Sequence, residues 1–229
     1  MMMEALGRSP DIEAHQEGSP AIMRDNRLIS IEQLHKTVEQ SPFPGVAIKP
    51  LCDSQWIHTL LSYFDNSCAI WMYRNWWDIA NSTTRKWPGH SLEIMQAFAS
   101  NNDHWLGWRN ENISATTRCK LNELVSECTT DAAAAATFWW LRNTHWFEHG
   151  AAEHPNCART LCYEQLVEQP AEWIRKAADF AQLRFYPAMI EGIHSRSVAR
   201  SAAPEVPASI REACNDMLTR LTATSEANW

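Results

Sequence analysis

Short clusters of apolar residues alternate, over the first half of the chain, with stretches in which apolar positions recur every three or four residues. Four clusters read as strands: Ile12 to Ala14, Val46 to Lys49 (VAIK), Ala69 to Arg74 (AIWMYR) and Ala158 to Tyr163 (ARTLCY). Between them, Ile29 to Gln40 carries Ile31, Leu34 and Val38 on one stripe, and Asp53 to Phe64 carries Ile57, Leu60, Leu61 and Phe64. Both patterns predict amphipathic helices. Strands that alternate with helices in this way predict an α/β fold with a parallel sheet.

From Ser91 to Gly150 the pattern is helical throughout, with Asp131 placed to cap an alanine-rich segment and Gly150 placed to end it. Glu164 to Ala181 predicts a further helix. The Ser-, Ala-, Arg- and Pro-rich stretch Gly192 to Pro207 reads as a surface loop, followed by a last amphipathic helix from Ala208 to Leu221. Neither an internal repeat nor a low-complexity linker interrupts the chain, so a single domain over residues 1–229 is the expectation.

Composition narrows the function classes. The chain has 229 residues, 45% hydrophobic and 21% charged, with seven Gly and eleven Pro, which fits a packed globular protein and not a disordered or collagen-like one. Its 20 Lys and Arg against 27 Asp and Glu give a net charge of −7, which disfavours broad binding to nucleic acid or anionic membranes. Any anion site must be local. The longest apolar run, AAAAATFWWL from Ala132 to Leu141, is far short of the roughly 20 residues a membrane helix needs. The start of the chain lacks the basic and apolar regions of a secretory signal. Seven Cys, an odd number without any CxxC, point to reduced thiols and a cytoplasmic location.

In open α/β sheets ligands bind outside the carboxyl ends of the strands. Those positions are polar here. Lys49 closes VAIK, and Glu17 follows the first strand within HQEGSP, where a carboxylate could act as a general base. Arg74 closes AIWMYR ahead of a segment carrying Asp78, Ser82, Arg85 and Lys86. A guanidinium fork with a hydroxyl suits a phosphate, while an Arg74–Asp78 ion pair is the structural alternative. The segment HWFEH, His145 to His149, matches a pattern in which two His at i and i+4 bind zinc beside a Glu. Exposed histidines at a helix end are the other reading of it. Twelve Trp are many for this length, and Trp71, Trp76, Trp77 and Trp87 crowd around Arg74 as packing or crevice residues. Walker-type, GxGxxG and GxSxG motifs are all missing from the sequence.

Three stretches together resemble the sulfotransferase superfamily, which transfers a sulfuryl group from 3′-phosphoadenosine-5′-phosphosulfate (PAPS) to a hydroxyl or amine. WMYRNWWDIANS, Trp71 to Ser82, is similar to the family's 3′-phosphate motif; the resemblance implies that Arg74 and Ser82, with Lys86 close by, bind that phosphate. LCYEQLVEQP, Leu161 to Pro170, is similar to the family's Tyr-Glu-Asp/Gln-Leu segment, which sets Tyr163 against the adenine. SPDIEAHQEG resembles the segment of tyrosylprotein and heparan sulfotransferases that supplies a catalytic glutamate, here Glu17. VAIKP resembles the stretch where the family has a lysine after the next strand, which implies that Lys49 lies near the transferred group. HSRSVARS resembles a late loop that closes over the nucleotide, with Arg200 and Ser201 as candidates.

The fold this resemblance implies is a three-layer, P-loop-like α/β domain with a central parallel sheet and a helical insertion. Its partners would be the nucleotide donor and an acceptor that the sequence does not identify, its product adenosine 3′,5′-bisphosphate (PAP), and no metal would take part. Family members open with a strand and a Pro-Arg/Lys-Ser-Gly-Thr-Thr loop around the 5′-phosphosulfate. This chain begins at the position of the following helix, with Met1 to Leu6 as its tail, so the expectation is a member truncated at its amino terminus. A binding-only remnant, a zinc hydrolase built on HWFEH and a nucleotide kinase are the alternatives. The helical span Ser91 to Gly150, with Trp105, Trp108, Trp139 and Trp140, is the expected wall of an acceptor pocket.

Overall fold

The computed structural model describes residues 1–151, 154–195, 198 and 202–229. In chain order the elements are helix α1 (Met2–Leu6), strand β1 (Ile12–His15), the two-residue strands β2 (Met23–Arg24) and β3 (Arg27–Leu28), helix α2 (Ile31–Gln40), strand β4 (Gly45–Ile48), helix α3 (Ile57–Ser62) and strand β5 (Ala69–Tyr73). Helices α4 (Trp76–Lys86), α5 (His90–Ala99), α6 (Asp103–Leu106), α7 (Ala115–Ser126) and α8 (Asp131–Glu148) follow. Strand β6 (Ala158–Cys162) and helices α9 (Tyr163–Glu168), α10 (Pro170–Phe180) and α11 (Ala208–Asn228) complete the chain. It is α/β, with parallel strands and many helices. The described residues group into two compact units, Met1–Ala69 with Gln165–Ser195, and Ile70–Glu164 with Arg196–Trp229.

In the first unit β1 and β4 pair in parallel, Ile12 opposite Gly45 and His15 opposite Ile48. Parallel strands cannot be joined by a tight turn, and α2 lies within the crossover between them. Ser30 starts α2, its Oγ accepting from the Gln33 N–H at 3.1 Å, so the helix begins just after Ile29. The hairpin of β2 and β3 was not legible in the sequence, because two-residue strands carry no periodicity. Its turn residues Asp25 and Asn26 have φ of 51° and 62°, the left-handed conformation that a two-residue hairpin turn requires. Ile22, Met23 and Leu34 form a buried core, joined by Leu28, Val38, Ile48, Leu60 and Phe64. The helix predicted from Asp53 to Phe64 is instead a 3-10 segment, Leu51–Trp56, followed by α3. Asp53 lies within that 3-10 segment, buried, accepting from Arg27 Nε at 2.9 Å and from the Leu28 N–H at 2.8 Å.

In the second unit β5 pairs with β6, and α8 packs against α4, α5, α7 and α11. Ala133 to Ala136 are all buried; side chains this small let neighbouring backbones come close. The residue that caps α8 is Thr130, whose Oγ1 accepts from the Ala133 N–H at 3.2 Å, and not Asp131. Asp131 reaches sideways and accepts from the Gly89 and Leu92 N–H groups at 3.0 and 3.1 Å, at the start of α5. Gly150, with φ of 71°, ends the helix as predicted. The helix predicted over Glu164 to Ala181, which from Gln165 onward belongs to the first unit, is two helices, since Pro170 opens α10 and pushes Gln169 out of helical geometry to φ −132°, ψ 62°. No helix among the described residues is long and apolar enough to cross a membrane.

Candidate functional site

Because β1 and β4 run parallel and in register, the residues that leave their carboxyl ends emerge side by side. The ladder continues to Lys49, whose N–H donates to the His15 carbonyl at 3.1 Å. Two residues past β1, Glu17 meets the Lys49 side chain, with Nζ 2.9 Å from Oε1. A carboxylate and an ammonium are thus held together at the carboxyl edge of a parallel strand pair, both partly exposed. Glu17 and Lys49, each predicted from the sequence as a candidate at a strand end, are brought into contact.

In the second unit Arg74 follows β5 directly and precedes Asn75, which caps α4 by accepting from the Trp77 N–H at 3.3 Å. Its guanidinium is mostly buried, donates to Asp78 Oδ2 at 2.8 Å and lies 3.8 Å from Glu164 Oε1. The same group stacks 4.7 Å above the ring of Tyr163, the first residue after β6. Glu164 also accepts from the Asn75 N–H at 3.1 Å and from the Cys162 thiol at 3.2 Å. These bonds fix Arg74 and Tyr163 across the carboxyl end of β5. Asp78, Ser82 and Lys86 follow at four-residue spacing along one face of α4, from buried to half-buried to exposed. Lys86 Nζ lies 4.2 Å over the Trp87 ring. Arg74 therefore pairs with Asp78, the structural alternative, and stacks on Tyr163 in the same position. Arg200 and Ser201 lie outside the described residues.

No protein-family model matches the chain, and no curated protein matches it. Among solved structures it is similar to the sulfotransferase domain from the curacin biosynthetic pathway, at 15% identity over 82% of this chain and 68% of that one, with a TM-score of 0.49.

The histidines of HWFEH do not both sit at an exposed helix end. His145 is fully buried, because α8 is covered along most of its length, and only His149, just past the last turn, is half-buried. Their rings stack with centroids 5.2 Å apart, and His145 Nδ1 lies 3.0 Å from His149 Nε2. Burial first, then the positive charges of Arg142 and His149, pushes the His145 pKa down to about 3. Glu148 accepts from the hydroxyls of Ser114 and Thr117 at the start of α7.

A groove of about 400 Å³ runs beside this cluster, lined by Thr116, Thr117, Trp140, Phe147, Glu148 and Arg220. Arg220 covers the Phe147 ring at 3.9 Å. Of the tryptophans expected to line a pocket, Trp140 lines this groove and Trp105 borders a smaller one of about 250 Å³. Trp139 instead donates to the Arg74 carbonyl at 3.0 Å. Glu164 and Asp78 brace the Arg74 site; Asp78 was visible in the sequence through its i+4 spacing, whereas Glu164 was hidden because β6 brings it in from ninety residues away.

Proposed function

We propose that the chain is a sulfotransferase-type protein that binds PAPS and transfers its sulfuryl group to an acceptor hydroxyl or amine. The observation that supports this best is Arg74, held after β5 by Asp78 and Glu164 and stacked on Tyr163 after β6. In this reading the guanidinium takes the 3′-phosphate, joined by Ser82 and Lys86 along α4, and the Tyr163 ring meets the adenine. Arg200 and Ser201 belong to the same nucleotide contacts.

The reaction would run in line. The acceptor oxygen or nitrogen attacks sulfur, the bond from sulfur to the phosphate oxygen breaks, and PAP leaves. Glu17 takes the acceptor proton while Lys49 meets the negative charge growing on the leaving oxygen. Positioning and charge stabilisation supply most of the rate, as in phosphoryl transfer.

The test is a thermal-shift titration with PAP. A ligand that binds only the folded state stabilises it by about 2.7 kcal/mol at 100 times its dissociation constant. Wild type and Glu17→Gln should both shift upward, and the shift should vanish in Arg74→Ala. Removing Arg74 also takes a charged partner from the buried Asp78 carboxylate; the ligand-induced shift is therefore compared with that of Arg74→Ala/Asp78→Asn, in which that carboxylate charge is removed as well. A wild type indifferent to PAP overturns the reading. In a transfer assay Glu17→Gln should lose roughly 10²- to 10⁴-fold in turnover, the usual worth of a positioned base.

A further inference from the structure

We propose that His145, Glu148 and His149 form a binding site for a divalent transition-metal ion of the zinc type. The site is independent of the sulfotransferase reading and lies in α8 and the residue after it. Residues at i, i+3 and i+4 share one helix face, so the three side chains converge without help from any other element. One ligand atom from each lies within 4.8 Å of the other two. The facing nitrogens of the two imidazoles are 3.0 Å apart. Two nitrogens bound to one zinc at 2.0–2.1 Å with a tetrahedral angle lie about 3.3 Å apart, so a small opening of the pair admits the ion.

The carboxylate is prepared in the same sense. The Ser114 and Thr117 hydroxyls both donate to Oε1 of Glu148, which orients the group, while its Oε2 is buried with no hydrogen-bond donor among the described residues. A buried carboxylate oxygen without a donor is costly, and a cation beside it removes that cost. Hydroxyls that hold a ligating carboxylate are the outer shell that metal sites use to fix their ligands. Two imidazoles and one carboxylate are a donor set for zinc that leaves a fourth position open to water or a ligand. Glu148 also lines the groove of about 400 Å³, so the carboxylate of the cluster faces an open cavity. The Arg142 guanidinium, placed 4.8 Å over the Trp108 ring and near enough to bear on His145, opposes a cation there, and the Glu148 charge offsets it.

The full chain, stripped with a chelator and titrated with Co²⁺, should bind one equivalent and develop the visible absorption of a four- or five-coordinate ion. Zn²⁺ should displace it. His149→Ala and Glu148→Gln should each weaken binding roughly 100-fold or more, at least the loss typical for an outer-shell partner. His35→Ala, a half-buried histidine of α2 stacked on Phe64, should leave it unchanged. His149→Cys, which restores a ligand, should recover binding with a shifted spectrum. X-ray absorption of the zinc-loaded wild type reads the same ligands without any variant, and imidazole scattering must appear. Absence of stoichiometric binding, equal affinity in His149→Ala and Glu148→Gln, or a first shell without imidazole overturns the site; an ordinary hydrogen-bonded histidine pair would give the first of these.

Discussion

At the scale of single residues, the sharpest consequence belongs to His145. Its ring is fully buried within α8, and burial, reinforced by Arg142 and His149, holds it neutral down to about pH 3 against an ordinary value of 6.5. A base whose pKa is depressed by folding binds more protons in the unfolded chain, so stability rises with pH across that interval. The contribution is complete above pH 6.5 and is lost progressively as pH falls toward 3. Within that window each unit of pH costs about 1.4 kcal/mol from this one group. Denaturant unfolding of the metal-free protein, compared near neutrality and at about pH 5, should show that loss. His145→Gln removes the titrating group and should flatten the slope. An equal slope in both proteins would assign the acid sensitivity elsewhere. Glu17 and Lys49 present the opposite case, a pair left partly in water, where mutual attraction contributes little to stability.

At the scale of elements, α8 shows how one residue shift in a helix start changes what a side chain is for. Thr130 takes the cap, which turns Asp131 outward onto the backbone of the α5 start, where it accepts two N–H bonds. Substituting Asp131 by Ala should therefore destabilise by about 2 to 4 kcal/mol, since each bond to a charged acceptor is worth about 1.5 to 3 kcal/mol and exposure discounts the sum. Thr130→Ala should cost about 1 kcal/mol, the usual value of a cap. If Asp131 were the cap instead, the order of the two effects in urea unfolding would reverse. Strands β1, β4, β5 and β6 were legible to within a residue because each is a compact apolar cluster. The β2 and β3 hairpin was not, since its signal is a left-handed Asp25 and Asn26, and many Asp-Asn pairs lie in ordinary loops. The break at Pro170 was present in the sequence, where apolar periodicity runs on through a residue that cannot donate its N–H. For the site, Arg74 with Asp78 and Glu17 with Lys49 could be inferred from strand ends. The stacking of Arg74 on Tyr163 depends on the pairing of β5 with β6, which no local pattern specifies.

At the scale of the whole molecule, seven cysteines are distributed without any disulfide, so their reactivity reports burial across the fold. Cys68 and Cys119 are exposed, Cys128, Cys157 and Cys162 are half-buried, and Cys52 and Cys214 are buried. Thiolate is the reactive form. Burial raises the thiol pKa of Cys214 and, to a lesser extent, of Cys128, so both are protected twice, by access and by charge state. Cys214 in addition donates to the Ala136 carbonyl at 3.3 Å, which ties α11 to α8. A disulfide-exchange reagent should therefore titrate seven thiols in denatured, unreduced protein. In the native protein it should find two of them fast, three at intermediate rates and two only as slowly as the structure opens. Cys162 separates the structural from the functional contribution, because its thiol donates to Glu164, which braces Arg74. Occupancy of Arg74 by a 3′-phosphate should slow modification of Cys162, read as a peptide by mass spectrometry, while Cys68 and Cys119 continue at their own rates. Protection of Cys162 that disappears in Arg74→Ala would tie ligand binding to the ends of β5 and β6. Equal rates with and without PAP would mean that this end of the strands does not hold the nucleotide.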